Sequence, residues 1–243
     1  CSHGAVWTCL LTAMCDTCCW SFLKGGRKKT TIKSQSSAPV SSMQEVELGK
    51  FILQIETWPT YRIGSSIWPS GFLLAKALAE GAVVFQHPWS SMKVLELGAG
   101  PGLPGLAAAK MGARVTLTDY DELVPLMERN IGHNNLEDRA QAAALDWSQV
   151  AGSKMALEMM PLDVILAADV VYFEEQDPLV DALKELMTPN ETVLVLAYRE
   201  RTPADRIYLE EVILPKLEAR RQPRVNYRPF WGPSCRFHWL VFG

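Results

Sequence analysis

Thiols are almost absent from the body of this 243-residue chain: five of its six cysteines (Cys1, Cys9, Cys15, Cys18 and Cys19) fall in the first nineteen residues, and only Cys235 lies beyond them. A body with one thiol carries no disulfide framework, which points to a reducing compartment, cytoplasmic and also nuclear. Cys15-x-x-Cys18 has no second ligand pair nearby, and His3, His87, His133 and His238 stand singly, so no metal centre is expected. Long apolar runs are missing as well. Residues 5–23 are interrupted by Asp16, with the basic residues after the run rather than before it. That excludes a confident membrane span and a signal peptide. An unstructured leader is the simpler reading there, with palmitoylation of Cys18 or Cys19 as the alternative. Basic charge is scarce in the body too. Lys24, Arg27, Lys28, Lys29 and Lys33 against Asp16 give residues 1–42 a charge of +4, leaving −7 for the rest of a chain whose net charge is −3. Without clustered Lys and Arg, nucleic acid is not expected as the main partner, and an acidic body suits a basic protein or peptide.

What is present is an alternation of apolar strands and helices. Residues 1–45 form a cysteine-rich, basic tail and linker, and a single domain is expected over 46–243. Strand-like composition marks 50–56, with a second extended piece over 61–68. A helix is expected over 72–80, closed by Gly81. Strands follow at 93–97, 114–118, 140–145, 164–168 and 192–197. Helices are expected at 105–111, 123–134, 177–187 and 203–218, and two closing strands at 225–227 and 236–242. Near-continuous apolar strands separated by helices specify a doubly wound, mostly parallel α/β sheet with short N-terminal strands. In such a sheet ligands bind at the carboxyl ends of the strands.

The sharpest local signal is Val94-Leu95-Glu96-Leu97-Gly98-Ala99-Gly100-Pro101-Gly102-Leu103-Pro104-Gly105. Its glycines admit a tight turn into a helix whose first N–H groups face a polar ligand. Gly100-x-Gly102-x-x-Gly105 with Asp119 about twenty residues on also satisfies the dinucleotide pattern. Glu96 argues against that cofactor, because a pyrophosphate would meet a carboxylate, whereas the α-ammonium of S-adenosylmethionine suits one. Asp119 can accept hydrogen bonds from both ribose hydroxyls. Trp147 can cover the adenine face while Asp146 reaches its exocyclic amine. Glu96, Gly98–Gly102, Asp119, Asp146-Trp147 and Asp169 occupy four successive strand tips, a coincidence that favours S-adenosylmethionine.

With these residues in view, the sequence resembles the seven-β-strand, Rossmann-like methyltransferases, and more narrowly the family 16 protein-lysine methyltransferases. The carriers are Ile67-Trp68-Pro69-Ser70-Gly71, the glycine motif, Thr118-Asp119, Asn130-x-x-x-Asn134, Asp146-Trp147, and Ala167-Ala168-Asp169-Val170-Val171-Tyr172 with its Asp-x-x-Tyr signature. The resemblance spans residues 46–243. It implies cofactor contact by Trp68, Gly98, Ala99, Gly100, Asp119, Trp147 and Ala168. It further implies that Asp169 and Tyr172 line the mouth where the methyl acceptor enters. Pro101 and Pro104 depart from the usual residues of the loop without removing a needed side chain.

A lysine acceptor must lose its proton before its nitrogen can attack, since its ordinary pKa is about 10.4. Asp169 is therefore assigned to binding and orientation before general-base work, and Tyr172 to a hydrogen bond or a ring contact with the methylammonium. A helix N-cap for Asp169 and simple packing for Tyr172 are the structural alternatives. Arg199, Glu200 and Arg201 follow the fifth parallel strand, where they either touch the acceptor or form a solvated loop. The expected activity is methyl transfer from S-adenosylmethionine to a protein lysine by a monomer. Methylation of a small amine or a nucleic acid, and a non-catalytic binding module, are the alternatives.

Overall fold

The computed structural model describes residues 39–83, 85, 87–151, 158, 160–171, 177–188, 191–221, 226–232 and 235–242, with backbone alone beyond Leu217. The cysteine-rich segment lies outside these residues. A hairpin of β1 (Ser42–Glu47) and β2 (Ile52–Thr57) comes first. It leads through a short 3-10 turn at Ile63–Ser65 to helix α1 (Pro69–Ala79). Then come β3 (Lys93–Leu97), α2 (Leu103–Lys110), β4 (Arg114–Asp119), α3 (Val124–His133), β5 (Ala140–Ala144) and β6 (Val164–Ala168). The chain closes with α4 (Asp177–Leu186), β7 (Val193–Glu200), α5 (Pro203–Tyr208), α6 (Leu214–Arg221), β8 (Asn226–Gly232) and β9 (Cys235–Phe242). Strand order is β5-β4-β3-β6-β7-β9-β8. β3 to β7 are parallel, and β9 and β8 complete the sheet in antiparallel register.

The expected α/β architecture is present, and the reason is readable in the strands. Leu95, Leu97, Leu117, Ile165, Leu166, Leu194 and Val195 have no exposed surface, so both faces of the central strands are covered. The chain reverses strand order between β3 and β6, and the carboxyl ends of the strands there form a crevice.

The N-terminal region differs from expectation. The first strand begins at Ser42, inside the stretch taken for a linker, and it is β1 rather than 61–68 that pairs with β2. Residues 58–68 instead fold back on Ser65. Its buried hydroxyl donates to the carbonyls of Trp58 and Arg62 (both 2.6 Å), while the Trp58 N–H donates to the Ser65 carbonyl at 2.9 Å. A β-rich composition loses here to a side chain that closes a turn. The expected single helix over 203–218 is also interrupted, by a π-turn at Leu209–Ile213.

β2 shows its second edge to α3, and two asparagines cover it. Asn134 accepts from the Gln54 N–H (2.9 Å) and donates to the Gln54 carbonyl (2.8 Å). One helical turn earlier, Asn130 accepts from the Glu56 N–H (2.6 Å) and donates to the Glu56 carbonyl (2.9 Å). Residues i and i+4 of a helix thus satisfy backbone groups i and i+2 of a strand, which closes an otherwise unpaired edge. Asn130 also donates to the Pro101 carbonyl at 2.9 Å, so the hairpin, α3 and the glycine turn are tied together by one amide.

Glu56 lies beside this clamp, 2% exposed. Burial alone pushes its carboxyl up. Hydrogen bonds from His133 (3.0 Å), Trp58 (2.9 Å) and Ser41 (2.8 Å), with the charge of Arg129, outweigh burial and hold it at about 2, below its ordinary 4.5. A depressed carboxyl stabilises the fold fully above pH 4.5, and that contribution is lost as the pH falls through 2. The shift corresponds to roughly 3 kcal/mol. Glu56→Gln is expected to remove most of that stability at pH 7 and to flatten the acid limb of the melting curve between pH 4.5 and 2. Equal acid sensitivity of variant and parent would show that other groups govern it.

Candidate active site

β3 ends in the turn from Gly98 to Gly102, which enters α2. Its N–H groups are largely consumed inside the protein. Ala99 donates to the Thr118 carbonyl (2.9 Å), Gly100 to Asp119 Oδ2 (2.8 Å), Gly102 to the Ala99 carbonyl (2.8 Å) and Gly105 to Glu96 Oε2 (2.8 Å). A pyrophosphate needs such donors free and charge-compatible. Two of them are already bonded to the carboxyl groups of Asp119 and Glu96. The turn is therefore unsuited to a dinucleotide.

Glu96, expected to serve the α-ammonium directly or through water, is 1% exposed and lies beneath the turn, where its carboxyl accepts the Gly105 N–H and braces the first turn of α2. A Cβ on Gly105 would lie 2.6 Å from Glu96 Oε2 and 2.3 Å from Leu117 Cδ2, so this close approach requires glycine. Burial pushes the Glu96 carboxyl up to about 8, with the Gly105 N–H pulling it down and the Asp119 charge adding to the rise. For a raised carboxyl the stability is complete below pH 4.5 and is lost as the pH rises through 8. Glu96→Gln is expected to abolish that alkaline loss, roughly 5 kcal/mol in size. Thermal melts from pH 5 to 9 measure it, and a variant whose melting temperature falls with pH as steeply as the parent's would contradict it.

Asp119, half-buried at the tip of β4, is bonded by the N–H groups of Gly100 (2.8 Å) and Tyr120 (2.7 Å). Burial raises its carboxyl despite those two bonds. Each oxygen keeps a lone pair for a ribose hydroxyl. Asp146 is committed locally. It caps the 3-10 turn Trp147–Gln149, accepting from the Ser148 N–H (2.9 Å), the Ser148 hydroxyl (2.7 Å) and the Gln149 amide (3.2 Å). The Ser148 bonds hold its carboxyl below the ordinary range. The cap holds Trp147 against the turn. A Cβ on Gly98 would meet Trp147 Cζ2 at 3.2 Å and Val170 Cγ1 at 3.0 Å.

Trp68, half-buried before α1, donates its indole N–H to the Ile63 carbonyl at 2.9 Å. Ala168 ends β6, 3.9 Å from where a Cβ on Gly71 would stand. Gly98, Ala99, Gly100, Asp119, Trp147, Ala168 and Asp169 thus all lie at the tips of β3 to β6 or in the loops leaving them. Tyr172 lies outside the described residues.

Asp169 sits directly after β6 with φ +58°, its N–H donating to the Ala197 carbonyl at 2.8 Å. Aspartate tolerates this left-handed conformation better than most residues. The next described helix starts at Asp177, so Asp169 caps none of the described helices. Its Oδ1 accepts from the Arg201 guanidinium at 2.9 Å, and its buried Oδ2 has no hydrogen-bond partner among the described residues. Arg201, expected either to touch the acceptor or to lie in a solvated loop, thus pairs with a carboxylate thirty-two positions away in sequence. Among the described residues no group of His, Cys, Asp and Glu could hold a metal ion, and no helix is long and apolar enough to cross a membrane.

Residues 48–214 match the family model for lysine methyltransferases. The chain belongs to that family. Among curated relatives, the protein-lysine N-methyltransferase EFM6 of Saccharomyces cerevisiae is 32% identical over 61% of this chain and 69% of its own. The protein N-lysine methyltransferase METTL21A of Danio rerio is 31% identical over 65% of this chain and 70% of its own. Among solved structures, the T. thermophilus 16S rRNA N2 G1207 methyltransferase RsmC, in complex with AdoMet and guanosine, superposes with a TM-score of 0.59 at 20% identity. It covers 84% of this chain and 51% of that one, a likeness of fold alone. This lysine methyltransferase takes S-adenosylmethionine as its methyl donor, and the site is chemically consistent with it: Asp119 stands at the tip of β4 and the turn N–H groups are already satisfied within the protein.

Proposed function

We propose that this S-adenosylmethionine-dependent N-methyltransferase methylates a lysine side chain of a protein substrate, with Asp169 and Tyr172 forming the acceptor end of the site. The observation that carries the reading is Asp169 itself, a buried carboxylate at the tip of β6 with one oxygen paired and the other without a partner among the described residues. A buried acceptor without a donor is costly, and an incoming amine supplies that donor. At the cofactor end, Asp119 holds the ribose hydroxyls, Trp147 stacks on the adenine, and Trp68, Ala99 and Ala168 shape the remaining walls. Bound S-adenosylmethionine supplies an electrophilic methyl: the amine nitrogen forms the new N–C bond as the C–S bond breaks, sulfur keeps the electron pair, and a nitrogen proton passes to water. Asp169 Oδ2 accepts one N–H of the amine and so orients its lone pair. Tyr172 of the Asp-x-x-Tyr signature is assigned to the same nitrogen, through a hydrogen bond or a ring contact.

The acidic body supports a basic protein acceptor over nucleic acid, and the scarcity of thiols there supports the cytoplasm as its setting. The test is incubation with methyl-labelled S-adenosylmethionine and a cell lysate, followed by mass spectrometry of the labelled band. Methyl groups on a lysine side chain are expected. Label confined to RNA or small amines would overturn the reading.

A further inference from the structure

We infer that Arg201 is a positioning residue for the methyl transfer. It neutralises Asp169 from one side, so that the free oxygen of that carboxylate receives a neutral amine instead of trapping an ammonium. The inference rests on the acceptor site proposed above.

A carboxylate facing the acceptor on its own works against the reaction. It stabilises the ammonium and lifts the lysine pKa above about 10.4, whereas attack needs the lone pair. The structure contains the correction. Arg201 is paired with Asp169 Oδ1 at 2.9 Å, and the two side chains are 28% and 4% exposed, so solvent screens the pair only weakly. A guanidinium at that distance leaves the pair with no net charge and a directed dipole. Its other end is Oδ2, a buried oxygen with no partner among the described residues. Such an oxygen accepts a hydrogen bond from a neutral amine without holding the cation strongly.

Arg201 is itself held in place at two points. Its guanidinium lies over the Trp68 ring, 5.7 Å from the ring centroid, and the Trp68 indole is in turn fixed to the Ile63 carbonyl. At the backbone, the N–H groups of Arg201 and Thr202 both donate to Asp205 Oδ2, at 2.7 and 2.9 Å, in the capping box that starts α5. The loop after β7 thus aims a cation at Asp169 from a fixed base, and Trp68 sets the height of the guanidinium. Trp68 therefore links the upstream loop to the acceptor carboxylate through Arg201.

Two probes separate charge tuning from simple support. S-adenosylhomocysteine has no charge at the reacting position; sinefungin carries an amine there, cationic at neutral pH. Calorimetric titration of the whole protein with both, for the parent, Arg201→Met, Arg201→Lys and the double variant Arg201→Met/Asp169→Asn, gives the decisive comparison. Arg201→Met unmasks the carboxylate and is expected to tighten sinefungin about tenfold, leaving S-adenosylhomocysteine within about twofold. Arg201→Lys restores the parental ratio, and the gain disappears in the double variant. With the labelled acceptor as substrate, Arg201→Met is further expected to move the rate-limiting acid limb of the pH profile up by about one unit. Equal change for both probes, or none, overturns the inference, as does an unmoved pH profile. A parent that labels no protein while the calorimetric contrast persists strikes the acceptor assignment and leaves the charge tuning standing.

Discussion

Asp169→Asn is expected to lower methyl transfer by about a hundred- to a thousandfold, with S-adenosylhomocysteine affinity within about threefold of the parent. Asparagine has the same shape and accepts the φ of +58° at this position, so the local backbone survives the change. The Ala197 carbonyl keeps its donor, because that bond comes from the backbone N–H. What is lost is the charge on Oδ1 that holds Arg201, together with the certainty that an acceptor atom stands at the Oδ2 position. An amide turned the other way presents N–H groups to the N–H groups of the arriving amine. The effect therefore falls on turnover and on the acceptor's KM, with little change in melting temperature. Initial rates of labelled transfer beside calorimetry with S-adenosylhomocysteine separate these quantities. Full turnover in Asp169→Asn would remove Asp169 from the acceptor site.

The second large effect belongs to Gly100→Ala. A Cβ there would lie 2.3 Å from the Gly64 carbonyl oxygen, a backbone atom, and the residue sits at φ +54°. Neither the turn nor the Ser65-closed loop above it can yield cheaply, since Asn130 holds the Pro101 carbonyl and Ser65 holds Trp58 and Arg62. A clash and an unfavourable conformation together are expected to cost about 2–4 kcal/mol of stability. The displaced turn also loses the bond from the Gly100 N–H to Asp119, the carboxylate assigned to the ribose. Cofactor affinity is expected to fall at least about tenfold. Gly81→Ala is the matched control. Gly81 has φ +71° but nothing within 4 Å of a new Cβ, so it should cost only about 1 kcal/mol of backbone strain and leave cofactor binding unchanged. Similar losses in both variants would mean that backbone strain, rather than the packing of Gly64 on the turn, sets the effect.

The parallel sheet was legible because its strands are short apolar runs with little polar interruption; β3 and β6 begin and end where their residues say they should. The glycine turn was legible for a similar reason, as few other sequences allow so tight an exit from a strand. Local competition between side chain and backbone was harder to read. Residues 61–68 have strand-forming composition, yet a single buried serine hydroxyl closes them into a turn. Glu96 and Asp146 were read as ligand contacts because both are acidic and stand at strand tips. That such side chains also brace their own backbone depends on the few residues after them, here the Gly105 and Ser148 N–H groups. Pairs distant in sequence were out of reach, among them Asp169 with Arg201 and Glu56 with His133. The two asparagines at a four-residue spacing were a usable signal, and their meaning as a cover for the β2 edge appears only once the strand and helix are packed.

The central claim is that the acceptor is a protein lysine received at Asp169. The most direct test is position-resolved mass spectrometry of a lysate incubated with labelled S-adenosylmethionine, with parent enzyme and Asp169→Asn run side by side. Methyl-lysine at a defined position with the parent, and none above background with the variant, is the predicted result. Label on arginine, on RNA or on small molecules, or equal methyl-lysine with both enzymes, would contradict it.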